Sequence, residues 1–189
     1  MKKITMVMMA LLLASGSAWA TDNIAVFGSY WNTKDLDWGG GGGLKLGIPL
    51  GSPDRTPVAL EFRGTYYRDL SKGRFDDQAG FNLKIRDIPV EAGLRLDLAP
   101  RAPLNLYLGA GGSYHFLDSN VGNLSNEVGY YGLIGLEVGH AKSTNFFAEG
   151  MYRKIKGTVE DVPNAFEVSG KAALQLKGFA ANAGLAWRF

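Results

Sequence analysis

Apolar residues recur at every second position through most of this chain. Leu44, Leu46, Ile48 and Leu50 form one stripe, with Lys45 and Gly47 between them. Val58, Leu60, Phe62, Gly64 and Tyr66 oppose Glu61, Arg63 and Thr65. Ile88, Val90, Ala92, Leu94, Leu96 and Leu98 oppose Glu91, Gly93, Arg95 and Asp97. Leu104, Leu106, Leu108 and Ala110 oppose Asn105, Tyr107 and Gly109. Val128, Tyr130, Ile134, Leu136 and Val138 oppose Tyr131, Gly135 and Glu137. Phe146, Ala148 and Tyr152 oppose Glu149, Met151 and Arg153, and Ala183, Leu185, Trp187 and Phe189 oppose Asn182, Gly184, Ala186 and Arg188. A period of two sustained this often predicts strands with one apolar and one polar face.

Three stretches are less regular. In the first strand, about Asn23 to Thr33, Ile24, Val26 and Tyr30 compete with Phe27 and Trp31 for the apolar face. Phe81, Leu83 and Ile85 are out of phase with Ile88 onward, which predicts a bulge near Arg86-Asp87. Leu174 and Leu176 are likewise out of phase with Phe179, near Lys177-Gly178. Short connections are expected near Gly51 to Pro57, Ala99 to Pro103 and Ala141 to Thr144. Long polar ones are expected near Asn32 to Gly40, Asp69 to Gly80, Leu117 to Glu127 and Gly157 to Ser169. Together they join eight strands, alternating long and short as transmembrane barrels do. Aromatic pairs (Tyr66 and Tyr67, Tyr114 and Phe116, Tyr130 and Tyr131) mark the long-loop end, and Trp187, Phe189 and Phe146 the other. Two such girdles suit the two faces of a membrane.

Residues 1–20 are expected to be a cleaved export signal. Lys2 and Lys3 precede a short apolar run, and Ala18-Trp19-Ala20 is a small-x-small cleavage site before Thr21. The run is too short to span a bilayer. Residues 21–189 then form one barrel domain. The formal charge of +2 leaves with Lys2 and Lys3, so basicity gives no support for nucleic-acid binding. With no cysteine, disulfides, thiolate metal sites and a lipoprotein anchor are excluded.

The segment Asn182, Gly184, Trp187 and Phe189 is the most specific motif. On it, and on the strand rhythm, the chain resembles the small eight-stranded outer membrane barrels, the opacity-protein and outer-membrane-protein-A barrel family. The resemblance implies an all-β, eight-stranded, antiparallel up-and-down transmembrane β-barrel in the bacterial outer membrane. It also implies that these four residues are the signal read by the barrel-assembly machinery. Barrels of the outer-membrane-protein-A type often add a peptidoglycan-binding domain, which is not expected here. The partners expected are outer membrane lipids and lipopolysaccharide, with the protein a monomer.

The polar faces carry Lys45, Arg63, Arg95, Arg153 and Arg188 against Glu61, Glu91, Asp97, Glu137 and Glu149. Toward lipid, each Lys or Arg at mid-depth would cost about 2–4 kcal/mol. Toward the lumen of a barrel narrow enough to be filled by side chains, they can pair as an interior plug. Equal numbers of both signs argue against an ion pathway.

His115, with Ser113 on the same face and Glu137 on the next strand, is the one catalytic constellation to weigh. Some barrels of this fold deacylate lipid A, with a His-x-Ser pattern followed by Asn. Here the order is Ser113-x-His115, Ser119-Asn120 is displaced, and both side chains are expected inside, away from lipid. No enzyme, cofactor or metal site is expected; His140 stands without ligand-spaced neighbours. Gly39 to Gly43 lacks the Lys-Ser/Thr of a phosphate loop and is assigned to close strand approach. The acidic pairs Asp76-Asp77 and Glu160-Asp161 are read as solvated loop charge. The expected function is therefore structural, supporting envelope integrity, with outer loops for interaction or adhesion. The alternatives are a lipid A-modifying enzyme, a small-solute channel, or a soluble exported barrel carrying a ligand.

Overall fold

The computed structural model describes residues 23–34, 38–50, 57–71, 84–100, 102–119, 123–124, 126–139, 143–160 and 172–188. The expected leader, Phe189, Phe81, Leu83, His140, Asp76-Asp77 and Asp161 lie outside the described residues. The strands are β1 (Asn23–Thr33), β2 (Gly39–Pro49), β3 (Val58–Ser71), β4 (Lys84–Asp97), β5 (Leu104–Ser119), β6 (Asn123–Leu124), β7 (Glu127–Val138), β8 (Thr144–Glu160) and β9 (Ala172–Arg188). All pairings are antiparallel, and β9 pairs with both β8 and β1. The sheet therefore closes on itself as eight strands. The two-residue β6 pairs with the far end of β8, beyond β7. Closure leaves the eight barrel strands without an edge along their shared ladders, so their backbone groups are satisfied within the barrel.

The alternation expected from the sequence resolves into an inner and an outer wall. Leu94 is 53% and Leu106 39% exposed, whereas Arg95 is 4% exposed. In β1 the ambiguity is settled: Ala25, Phe27, Ser29 and Trp31 are buried, while Val26 and Tyr30 face out. The outer wall is a belt of Leu, Val and Ile. A chain exposing this much contiguous apolar wall is stable only if lipid covers it.

Three expectations are corrected. The bulge lies on β3, not on β4. The β3–β4 ladder holds at Gly64↔Val90, resumes at Tyr67↔Asp87, and shifts by one residue before Leu70↔Ile85. Arg68 and Asp69 thus face the single Arg86. Pro89, which has no N–H to donate, falls in the gap between Gly64↔Val90 and Tyr67↔Asp87, and the register is the same on both sides of it. β4 keeps one phase throughout, with Ile85, Asp87, Pro89 and Glu91 all inward. Second, the β8–β9 ladder runs unbroken from Val159↔Ala172 to Thr144↔Trp187, so there is no slip at Lys177-Gly178. Third, the connection expected from Asn32 to Gly40 narrows to residues 34–38, because β1 runs to Thr33 and β2 begins at Gly39. It is shorter than the supposedly short connection after Pro49.

The glycine run belongs to β2. A Cβ on Gly41 would lie 2.7 Å from the Tyr67 ring, and one on Gly43 would lie 2.5 Å from the Phe27 ring. The missing side chains make room for inward aromatics on the neighbouring strands. Tyr67 and Tyr131 accordingly belong to the interior, not to the girdle. Tyr30, Tyr66, Tyr114, Tyr130, Tyr152 and Phe179 form the exposed aromatic band at the loop end, and Phe146 lies exposed at the other.

Candidate functional site

Inward alternation on eight strands sends the polar side chains into one narrow lumen, where they stack in four groups. At the short-turn end, Arg95 donates to Asp97 through Nε (2.9 Å) and Nη2 (2.7 Å), and to Glu137 at 2.5 Å. Asn105 donates to Asp97 at 2.5 Å, and Asn145 to Glu137 at 2.9 Å. Arg188 reaches Glu137 at 3.3 Å. The guanidinium of Arg95 lies 3.8 Å over the Tyr107 ring, which separates this group from the next.

The central group is built around Glu149. It accepts from Lys45 (2.8 Å), Arg63 Nη1 (2.8 Å), Tyr107 (2.8 Å) and Asn182 (3.1 Å). Glu61 pairs with Arg63 and stands 3.6 Å from Lys45. Lys45 also lies 3.8 Å over the Phe147 ring. Above it, Arg153 grips Glu91 through Nε (2.8 Å) and Nη2 (3.2 Å). The planar fork suits this two-point contact with a carboxylate.

A directed string joins these two groups. Arg153 donates to the Tyr67 oxygen at 2.6 Å, and Ser29 donates to Asn182 Oδ1 at 2.6 Å. Ser29 has one proton, so in the 2.5 Å contact between them Tyr67 is the donor. Asn182 then donates to Glu149. Every bond runs from cation toward anion, an arrangement in which each bond polarises the next.

At the loop end, His115 Nδ1 lies 2.8 Å from Asp87 Oδ2, and its Nε2 lies 3.0 Å from Ser113 Oγ. The sequence pointed to Glu137 as the third member, but Glu137 lies in the short-turn group. Asp87 takes its place because β4 pairs β5 with Asp87↔Leu117 and Pro89↔His115 in register. The order of groups is that of a nucleophile, base and orienting acid. All three are buried, under Trp31, whose ring centroid is 6.2 Å from that of His115. The Ser113 Oγ is packed against β7, only 2.7 Å from where a Gly129 Cβ would be. Trp31, Ile85, Leu117, Met151 and Ile155 make the rest of this end apolar.

The ten charges read from the sequence thus come together inside, with Arg188 and Asp97 the least enclosed. Sequence reasoning missed Asp87, and it missed the polar groups Tyr67, Tyr107, Asn105, Asn145 and Ser29 that tie the ions together. Their inward phase was the available signal. Asn182, expected as part of the assembly signal, also spends its side chain inside. Trp187 is half-buried on the outer wall, and a Cβ on Gly184 would lie 2.8 Å from Phe27 Cα. Among the described residues, no group of three or more His, Cys, Asp or Glu is placed to hold a metal ion.

A closed antiparallel barrel with an apolar wall and an ion-filled lumen defines the class of transmembrane β-barrels. Residues 6–189 match the family model of the outer membrane protein beta-barrel domain, and the chain belongs to that family. No curated protein sequence matches it. Among solved structures it is similar to OprG of Pseudomonas aeruginosa, with 14% identity and a TM-score of 0.68 over 90% of this chain and 97% of that one. It is also similar to neisserial surface protein A, with 13% identity and a TM-score of 0.63 over 88% and 96%. The Escherichia coli outer membrane protein W follows, with 13% identity and a TM-score of 0.57 over 92% and 100%. Likeness at this identity establishes the fold. Membership places the protein in the bacterial outer membrane.

Proposed function

We propose that this barrel is a closed, monomeric, non-enzymatic element of the outer membrane that contributes to envelope integrity and meets its surroundings through its loop end. The observation that carries the reading is the central group: Glu149 accepts from Lys45, Arg63, Tyr107 and Asn182 across the lumen. These donors come from β2, β3, β5 and β9, so the cross-links tie opposite walls together and occupy the space that a solute would need. Under this reading residues 1–20 are removed on export, and Asn182, Gly184, Trp187 and Phe189 direct assembly. Any specific contact with the surroundings, adhesion included, belongs to the loops. A lipid A-modifying role is disfavoured by the burial of Ser113 and His115.

A second reading, a channel for small apolar solutes, draws on the apolar lining of the loop end. It requires an exit that bypasses Glu149. Planar-bilayer recording of the refolded protein separates the two. The closed reading expects no discrete conductance in the native protein and measurable steps once Arg63, Lys45 and Glu149 are together replaced by alanine. Steady conductance in the native barrel overturns it.

A further inference from the structure

The outer wall changes character along β1, β9 and β8. At the loop end, Thr33 pairs with Gly178, and the next residue, Lys34, donates its backbone N–H to the Lys177 carbonyl at 2.8 Å. Lys177 in turn stands opposite Lys154. All three are out of phase with the inward Thr33, Arg153 and Ala180, so their side chains leave from the outer wall. Three lysines thus sit in one row across three adjacent strands. At about 4.8 Å between strands, the row spans roughly 10 Å.

Like charges directly opposite one another are destabilising. Elsewhere on the outer wall a cation has an opposite charge in register: Arg86 stands opposite Asp118. Among the described residues, no carboxylate forms an ion pair with Lys34, Lys154 or Lys177. Lys154 instead lies 5.8 Å over the Tyr130 ring.

Below the lysines the same strands form a ladder of decreasing size. The next outward row holds Phe179 and Tyr152, in edge contact at 5.1 Å between centroids. Beneath them come Ala181 and Gly150, then Gly28, Ala183 and Ala148. These small residues floor a shallow groove of about 670 Å³, walled by Tyr30 on one side and by Leu106, Ile134 and Leu136 on the other. Tyr30 is itself held by stacking on Trp38, with centroids 5.9 Å apart. From Lys34 to Gly28 the strand runs about 20 Å along its length, roughly 15 Å of depth at the tilt of a barrel strand, from the membrane boundary into the apolar interior.

We infer that this wall is a binding site for one phosphorylated, acylated lipid of the outer leaflet, the lipid moiety of lipopolysaccharide. Its phosphate is held by Lys34, Lys177 and Lys154, and an acyl chain is laid in the groove beneath. The anion relieves the repulsion within the lysine row, and the acyl chain fills a recess that the apolar wall leaves open. The inference rests on the reading of this wall as lipid-facing.

Native mass spectrometry of the refolded full-length barrel tests it, with purified lipid A, its dephosphorylated form and inorganic phosphate as probes. Lipid A is expected to remain bound as a single copy. The lysine triple variant Lys34→Gln, Lys154→Gln, Lys177→Gln is expected to weaken retention by roughly fivefold per lysine, about a hundredfold in all. Gly28→Leu with Gly150→Leu fills the groove; a Cβ there meets nothing closer than 3.9 Å, so the barrel tolerates both. That double variant is expected to weaken lipid A while leaving the lysine row intact. Equal retention of the dephosphorylated lipid, equal retention by the triple variant, or full displacement by inorganic phosphate would overturn the site. Heat-modifiable gel migration is read for every variant. Its loss in the native protein defeats the barrel reading itself, whereas its persistence with no lipid bound defeats only the site.

Discussion

The middle of the lumen and its loop end are built from the same strands by opposite means. In the middle, every charged group meets an opposite charge, and Glu149 alone takes donors from four strands. At the loop end, Trp31, Ile85, Leu117, Met151 and Ile155 supply bulk, and polar contacts are few. There Asp87 gives one oxygen to His115 while its Oδ1 is buried without a hydrogen-bond partner, as is Trp31 Nε1. The middle holds walls together by specific ion pairs, whereas the loop end is filled by shape. The barrel's cohesion across the lumen therefore resides in its middle. Losing Glu149 takes the shared partner from two buried cations, Lys45 and Arg63, at once, whereas losing His115 at the loop end strands one buried carboxylate, Asp87, and one hydroxyl.

The largest expected effect follows directly. Glu149→Ala leaves Lys45 buried against Glu61 alone and takes from Arg63 its strongest partner, which should cost about 3–5 kcal/mol in denaturant unfolding of the refolded barrel. Removing the partners as well separates lost attraction from stranded charge. Replacing Lys45, Arg63, Glu149 and Glu61 together by Met, Leu, Leu and Met removes both signs at once, because Glu61 is held by Lys45 and Arg63, and should recover a large part of that loss. A quadruple variant weaker than Glu149→Ala would mean that the pairs themselves, rather than the cost of orphaning one of them, hold the centre.

At the loop end the expected loss is smaller. His115→Ala removes both ring contacts and leaves the buried Asp87 without its imidazole partner, for about 1–3 kcal/mol. A loss as large as that of Glu149→Ala would erase the distinction between the two regions.

The sequence made one of these regions far more legible than the other. A strict period of two, with Lys45, Arg63, Arg95 and Glu149 all opposite aliphatic stripes, identified the walls and their sidedness. It did not say which acid meets which base, because partners such as Lys45 and Glu149 lie on strands that are not neighbours in the sheet and meet only across the lumen. At the loop end the pattern misled. Tyr67 and Tyr131 follow outward tyrosines and looked like a girdle, yet the strand phase turns them inward, and Gly41 makes room for the first. The apparent slip at Arg86-Asp87 arose because Ile85 is an apolar residue of the inner wall and Ile88 one of the outer wall, while the extra residue sits on β3 opposite Arg86. Asp87 became the partner of His115 through a register that local periodicity does not encode.

The smallest effect concerns Ser113. Its hydroxyl ends the Asp87–His115 string at 3.0 Å, in the order that activates a nucleophile elsewhere. Activation needs a substrate carbonyl beside the oxygen and donors facing it. Here the oxygen lies against the β7 backbone at Gly129, and the strand N–H groups around it belong to the barrel ladders. Ser113→Ala should therefore cost only about 0.5–1.5 kcal/mol, the worth of one hydrogen bond. The folded protein should leave a fluorophosphonate probe unreacted, as read by mass spectrometry of the peptide that contains Ser113. Labelling of Ser113 that vanishes in His115→Ala, in protein still showing its heat-modifiable migration, would mean that the loop end opens to small molecules. The apolar filling would then be an entrance to the lumen, set above a centre that stays shut.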